Sequence, residues 1–93
     1  MDLSVIIPAY NEANYIGRLL DSLAVARRQH APGREAEIIV VDNGSTDATA
    51  AIAQEKGATV VQESERKIAA VRNAGARAAR GATLIFIDAD NRA

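Results

Sequence analysis

A three-layer α/β/α fold, with one parallel sheet between helices, is predicted by three observations. Four short apolar runs, at residues 3–7, 38–41, 58–61 and 84–87, are rich in Val, Ile and Leu and scarcely alternate with polar residues. Strands read this way when helices cover both faces of their sheet. Between the runs, apolar residues recur with the period of a helix. The resulting order, β-α-β-α-β-α-β, joined by right-handed crossovers, is Rossmann-like. The strand order 3-2-1-4 is expected, because it sets the ends of the first and fourth strands side by side.

The first strand, Leu3-Ser4-Val5-Ile6-Ile7, stops at Pro8, which lacks a ladder N–H. Asn11 is expected to cap the next helix, with Glu12 in its first turn. Ile16, Leu19, Leu20, Leu23 and Ala24 make one apolar face. The stretch 30–33 ends that helix and leaves His30 in a loop. Ile38-Ile39-Val40-Val41 is the second strand and ends at Asp42. Asn43-Gly44 turns the chain, Ser45 or Thr46 caps the second helix, and Asp47 lies in its first turn. Gly57 stops this helix. After a short third strand, a helix over residues 65–80 presents Ile68, Val71, Gly75 and Ala78 or Ala79 on one face. A glycine within a helix costs about 1 kcal/mol relative to alanine, so Gly75 marks close packing on the sheet. Gly81 ends this helix, and the fourth strand runs into Asp88-Ala89-Asp90.

Composition excludes several function classes. The 93 residues suffice for one small domain. Aromatics are 3% of the chain, so its core is aliphatic and alanine-rich. Eleven basic against 12 acidic residues leave a net charge of -1, no basis for binding nucleic acid or an anionic membrane. There is no cysteine, hence no disulfide and no thiolate metal site. This fits a reducing, cytoplasmic setting. No basic segment followed by an apolar one suggests a signal peptide, and no apolar run approaches the length of a membrane span.

Four groups of residues carry the candidate chemistry. In Asp88-Ala89-Asp90, residues i and i+2 of an extended chain point the same way, so both carboxylates can face one ion. Hard oxygen ligands suit Mg²⁺ or Mn²⁺ shared with substrate phosphates. The bland alternative is a solvated loop. Asp42, at a strand end, can accept from a base N–H or a ribose hydroxyl; turn chemistry explains Asn43 through Asp47 but not a carboxylate that costs desolvation unless partnered. In Pro8-Ala9-Tyr10-Asn11-Glu12, Tyr10 can stack on a base and Ala9 lets it approach the backbone, although strand-end chemistry alone also accounts for the segment. Arg72, three residues before Gly75, is expected to point to the packed face, where it would pair with a phosphate or with a carboxylate such as Asp42. No Ser/His/Asp or Cys/His set is present, nor a G-x-G-x-x-G or P-loop pattern.

Four segments together resemble the N-terminal, nucleotide-binding half of a family 2 glycosyltransferase with the GT-A fold. They are Val5-Ile6-Ile7-Pro8-Ala9-Tyr10-Asn11-Glu12, Glu37-Ile38-Ile39-Val40-Val41-Asp42-Asn43-Gly44-Ser45-Thr46-Asp47, Ala70-Val71-Arg72-Asn73-Ala74-Gly75 and Ile85-Phe86-Ile87-Asp88-Ala89-Asp90. The resemblance implies a partial GT-A fold and a nucleotide-diphospho-sugar donor, most often a UDP-sugar. Pro8, Ala9, Tyr10 and Glu12 would line the nucleoside pocket, Asp42 would bind the base, and Arg72 would support the nucleotide. Asp88, with Ala89, would reach the ribose or the metal, and Asp90 would ligate Mn²⁺ or Mg²⁺ bridging the diphosphate. Lys67 stands where the family often has a small residue.

The resemblance places the acceptor site and general base after the D-x-D segment, where only Asn91, Arg92 and Ala93 follow. Residues 1–93 are therefore expected to be one nucleotide-binding domain, cut short after D-x-D and catalytically incomplete alone. Longer forms of such a chain could work at the cytoplasmic face of a membrane. The alternatives are a nucleotide- or metal-binding module without turnover and an interaction fragment. In the latter the edge at residues 82–87 would join a second copy as a homodimer. A nucleotidyltransferase is disfavoured, since Pro8-Ala9-Tyr10 stands where a Gly-rich basic loop is needed.

Overall fold

The computed structural model describes residues 2–30, 33 and 35–87. Its elements are β1 (Leu3–Ala9), α1 (Ala13–His30), β2 (Ala36–Asp42), α2 (Thr49–Glu55), β3 (Thr59–Gln62), α3 (Ile68–Ala78) and β4 (Thr83–Phe86). The sheet is parallel with order β3-β2-β1-β4, as expected.

Strand period 2 divides the core in two. Val5, Ile7 and Ala9 of β1 and Val40 of β2 pack with Ile16, Leu20 and Ala53 under α1 and α2. Ile6, Ile39 and Val41 point to the other face, where Val71 and Ala74 of α3 cover them. Each fully buried Val or Ile contributes about 1.5–3 kcal/mol. Gly75 is needed for that second layer: a Cβ there would overlap Ile6 Cγ2 and lie 3.1 Å from Val41 Cγ2. Gly57, at φ 90°, closes α2 in a Schellman motif, its N–H reaching Gln54 O and that of Ala58 reaching Ala53 O, both at 3.0 Å.

Several boundaries differ from expectation. β1 continues through Pro8 to Ala9. Ile87 N donates to Ile6 O at 2.9 Å, so the even-numbered residues of β1 bond toward β4. Pro8 lies two residues past the end of that pairing, where no donor is required of it. His30 is the last residue of α1 rather than a loop residue. α3 is shorter than residues 65–80, and Ile68, assigned to its packed face, is 66% exposed. Gly81 follows the helix end at Ala78; a Cβ there would sit 2.5 Å from Ser4 N, so close backbone approach demands the glycine. β4 is not covered like the other strands: Leu84, Ile85 and Phe86 are each 40% exposed at the sheet edge. Among the described residues no helix is long and apolar enough to cross a membrane.

Candidate functional site

The carboxyl ends of β1, β2 and β3 lie side by side, with Ala9 opposite Asp42 and Asp42 opposite Gln62. Asp42 is 3% exposed and accepts three hydrogen bonds. Its Oδ1 accepts from Ser45 N at 3.2 Å and from Ser45 Oγ, and its Oδ2 accepts from Gln62 Nε2 at 3.0 Å. These donors offset the desolvation that an unpaired buried carboxylate incurs.

The two loops flanking this carboxylate hold each other. Asn11 does not cap α1. At φ 51° its backbone N–H donates to Ser45 Oγ at 2.9 Å, and its Oδ1 accepts from Thr46 N at 2.8 Å. Asn tolerates this left-handed conformation better than most residues. The first turn of α1 is capped from the other loop, by Thr49 Oγ1 on Glu12 N at 2.9 Å and Asp47 Oδ2 on Ala13 N at 3.2 Å. The Thr49 hydroxyl, then the N–H groups of Thr49 and Ala13, hold the Asp47 carboxyl below its usual range. Ser45 and Thr46 likewise do not cap α2, whose N-cap is Ala48 with no side-chain bond. Their side chains are committed across the site instead. Asn43 ties β2 to the segment after β3, its Nδ2 donating to Glu63 O at 2.6 Å and Glu65 O at 3.1 Å.

Tyr10 is 41% exposed at this edge, with the Arg66 guanidinium 3.9 Å from its ring centroid. A Cβ added to Gly44 would lie 3.9 Å from the same guanidinium, so Arg66 spans the mouth between the first and second loops. The Ala9 side chain packs in the core, and only its backbone faces the edge, where its carbonyl accepts from Asn43 N at 2.9 Å. Glu12, half-buried, stands just before α1, its carbonyl accepting from Ile16 N at 2.8 Å.

Arg72 departs from expectation. It is exposed and not paired with Asp42, whose partners are Ser45 and Gln62. Its guanidinium lies 5.3 Å from the Phe86 ring centroid, and it lines a cleft of about 170 Å³ with Pro8, Ile68, Phe86 and Ile87. It sits one helical turn after Ile68, and both belong to the rim of this cleft, not to the face that Val71 and Gly75 press on the sheet. Pro8 and Arg72 thus meet here, beside the edge that carries Asp42 and Tyr10.

Asp88, Ala89 and Asp90 lie outside the described residues. Among the described residues no group of three or more metal-ligating side chains exists. Sequence reasoning passed over Gln62 and Arg66. Gln62 is identified by register alone, as the residue paired with Asp42.

The family model described as Glycosyl transferase family 2 matches residues 4–93. Glycosyltransferase AglE of Haloferax volcanii is 36% identical over 94 residues, covering 95% of this chain and 30% of its own length. The crystal structure of Staphylococcus aureus TarS residues 1–349 is 38% identical, with a TM-score of 0.80 over 97% of this chain and 28% of that one. Glucosyl-3-phosphoglycerate synthase from Mycobacterium tuberculosis, solved with Mn²⁺, UDP and glucosyl-3-phosphoglycerate, is 31% identical with a TM-score of 0.80. It is covered to 33% of its length, against 96% of this chain. The chain thus spans about a third of the length of each of these three proteins.

Proposed function

The chain belongs to glycosyl transferase family 2, and from that premise we propose that it forms the donor side of a sugar transferase using a nucleotide-diphospho-sugar, with UDP as the nucleotide. The observation that carries this reading is the meeting of Asp42, Tyr10 and the cleft of Pro8 and Arg72 at one carboxyl edge, where open α/β sheets bind ligands. Ile87 continues the ladder beside β1, its N–H donating to Ile6 O at 2.9 Å, so β4 runs toward this same edge. The similar synthase solved with Mn²⁺ and UDP supports the choice of nucleotide and ion.

In this reading the buried Asp42 carboxylate accepts a base N–H, oriented by the donors from Ser45 and Gln62. Tyr10 offers an aromatic face to the nucleoside. Arg72, exposed at the cleft, supplies positive charge to the nucleotide side. Glu12 and Ala9 shape the pocket floor. Asp88 and Asp90 would hold Mn²⁺ or Mg²⁺, which when bound supplies Lewis-acid stabilisation of the departing diphosphate. Residues 1–93 serve as one nucleotide-binding domain, and the base that activates the acceptor hydroxyl is not among the groups assigned here.

Arg72→Ala tests the site without touching the core. UDP affinity, measured by titration calorimetry with Mn²⁺ present, is expected to fall about tenfold, as for one charge-assisted hydrogen bond. The melting temperature is expected to stay unchanged. Unaltered affinity removes Arg72 from the nucleotide contacts.

A further inference from the structure

We infer that Gln62 is a second reader of the nucleobase, presenting a hydrogen-bond donor beside the acceptor of Asp42, so that the pair matches the imide edge of uracil. This rests on the reading of Asp42 as the base contact. A carboxylate has about four lone-pair sites. Ser45 occupies two on Oδ1 through its N–H and hydroxyl, and Gln62 Nε2 occupies one on Oδ2 at 3.0 Å. One site on Oδ2 is left among the described residues. The Gln62 amide nitrogen carries two hydrogens, and Asp42 takes one of them.

Position makes these remainders available together. Gln62 is the last residue of β3, exposed at the carboxyl edge, and is the register partner of Asp42. Ser45 fixes the rotation of the carboxylate, so Oδ2 stays turned toward Gln62. In uracil the N3–H donor is flanked by a carbonyl on each side. With N3–H donating to Asp42 Oδ2, one of those carbonyls falls beside Gln62 Nε2 and can accept its second hydrogen.

Binding of UDP analogues tests this by calorimetry, on the unaltered protein, the near-isosteric Gln62→Met and the shorter Gln62→Leu. Both variants remove the donor, and circular dichroism checks that each remains folded. N3-methyl-UDP is expected to bind all three proteins far more weakly than UDP. Either 2-thio-UDP or 4-thio-UDP, whose sulfur accepts hydrogen bonds poorly, is expected to lose about fivefold on the unaltered protein. That loss is expected to disappear in both variants. The same thio penalty in all three proteins, or none in the unaltered protein, overturns the role of Gln62 and leaves Asp42 standing. If N3-methyl-UDP binds as tightly as UDP, or UDP does not bind, the reading of Asp42 falls and Gln62 with it.

Discussion

At the scale of single residues, side chains that look like local punctuation are committed over long range. Ser45 reads as a helix cap, yet its hydroxyl serves Asp42 and receives Asn11 N from a residue 34 positions away. Asn11 likewise holds Thr46 rather than its own helix. The sequence marks these residues as turn formers but not their targets, because the targets come together only when β1 and β2 pair. Asp42 and Gly75 are legible for the opposite reason: each breaks a local rule, a carboxylate ending an apolar strand and a glycine inside a helix. Gly75→Ala tests the second directly. The added methyl gains about 1 kcal/mol in helix propensity, but it meets Ile6 Cγ2 and Val41 Cγ2 in the tightest part of the core. Overpacking of this kind costs about 1–3 kcal/mol, so net destabilisation is expected in urea unfolding. A stabilised variant would show that α3 rides higher on the sheet.

Between elements, a polar latch at the amino edge of the sheet fastens the α3–β4 connection. Glu37 of β2 accepts from Ser4 Oγ of β1 at 2.6 Å and from Arg80 N at 2.6 Å, while Gly81 N donates to Ser4 Oγ at 2.8 Å. The Ser4 hydroxyl first, then the Arg80 N–H, hold the Glu37 carboxyl below its usual range. A depressed folded-state pKa stabilises the fold above the unfolded value, about 4.3 for Glu, and that stabilisation is lost as pH falls through the folded value. Glu37→Gln is therefore expected to lose about 1 kcal/mol at neutral pH, with the gap closing below about pH 4. Urea midpoints across pH check this, and a gap that persists at acid pH would mean that charge is not what Glu37 contributes. The order of elements was readable from alternating periods, whereas this latch was not, since Ser4 and Glu37 sit in strands whose polar positions carry no local signal of pairing.

For the whole molecule, the exposed flank is β4. It is one of the two outer strands of the sheet, and Leu84, Ile85 and Phe86 are each 40% exposed, with no charge or proline among residues 83–86. Such an edge templates another strand. We propose that isolated chains pair through β4, and light scattering over a concentration series is expected to show mass above that of a monomer. Ile85→Lys, at an exposed position, is expected to restore the monomer; a monomeric parent at high micromolar concentration would sink the idea. The strand order that makes β4 an edge also brings Pro8 and Phe86 to one cleft, and both features follow from the four-run pattern of the sequence. What the pattern could not show was exposure, because an apolar strand reads the same whether or not anything covers it.

The central claim is that this edge holds a nucleoside diphosphate through Asp42 and a divalent ion through Asp90. Calorimetric titration of UDP, with Mn²⁺ and then with EDTA, tests it most directly on the unaltered protein, Asp42→Asn and Asp90→Asn. The account predicts weak binding that requires the metal and is reduced at least tenfold in each variant, as for loss of a charged partner. Equal affinity with and without metal, or unaltered affinity in either variant, would contradict it.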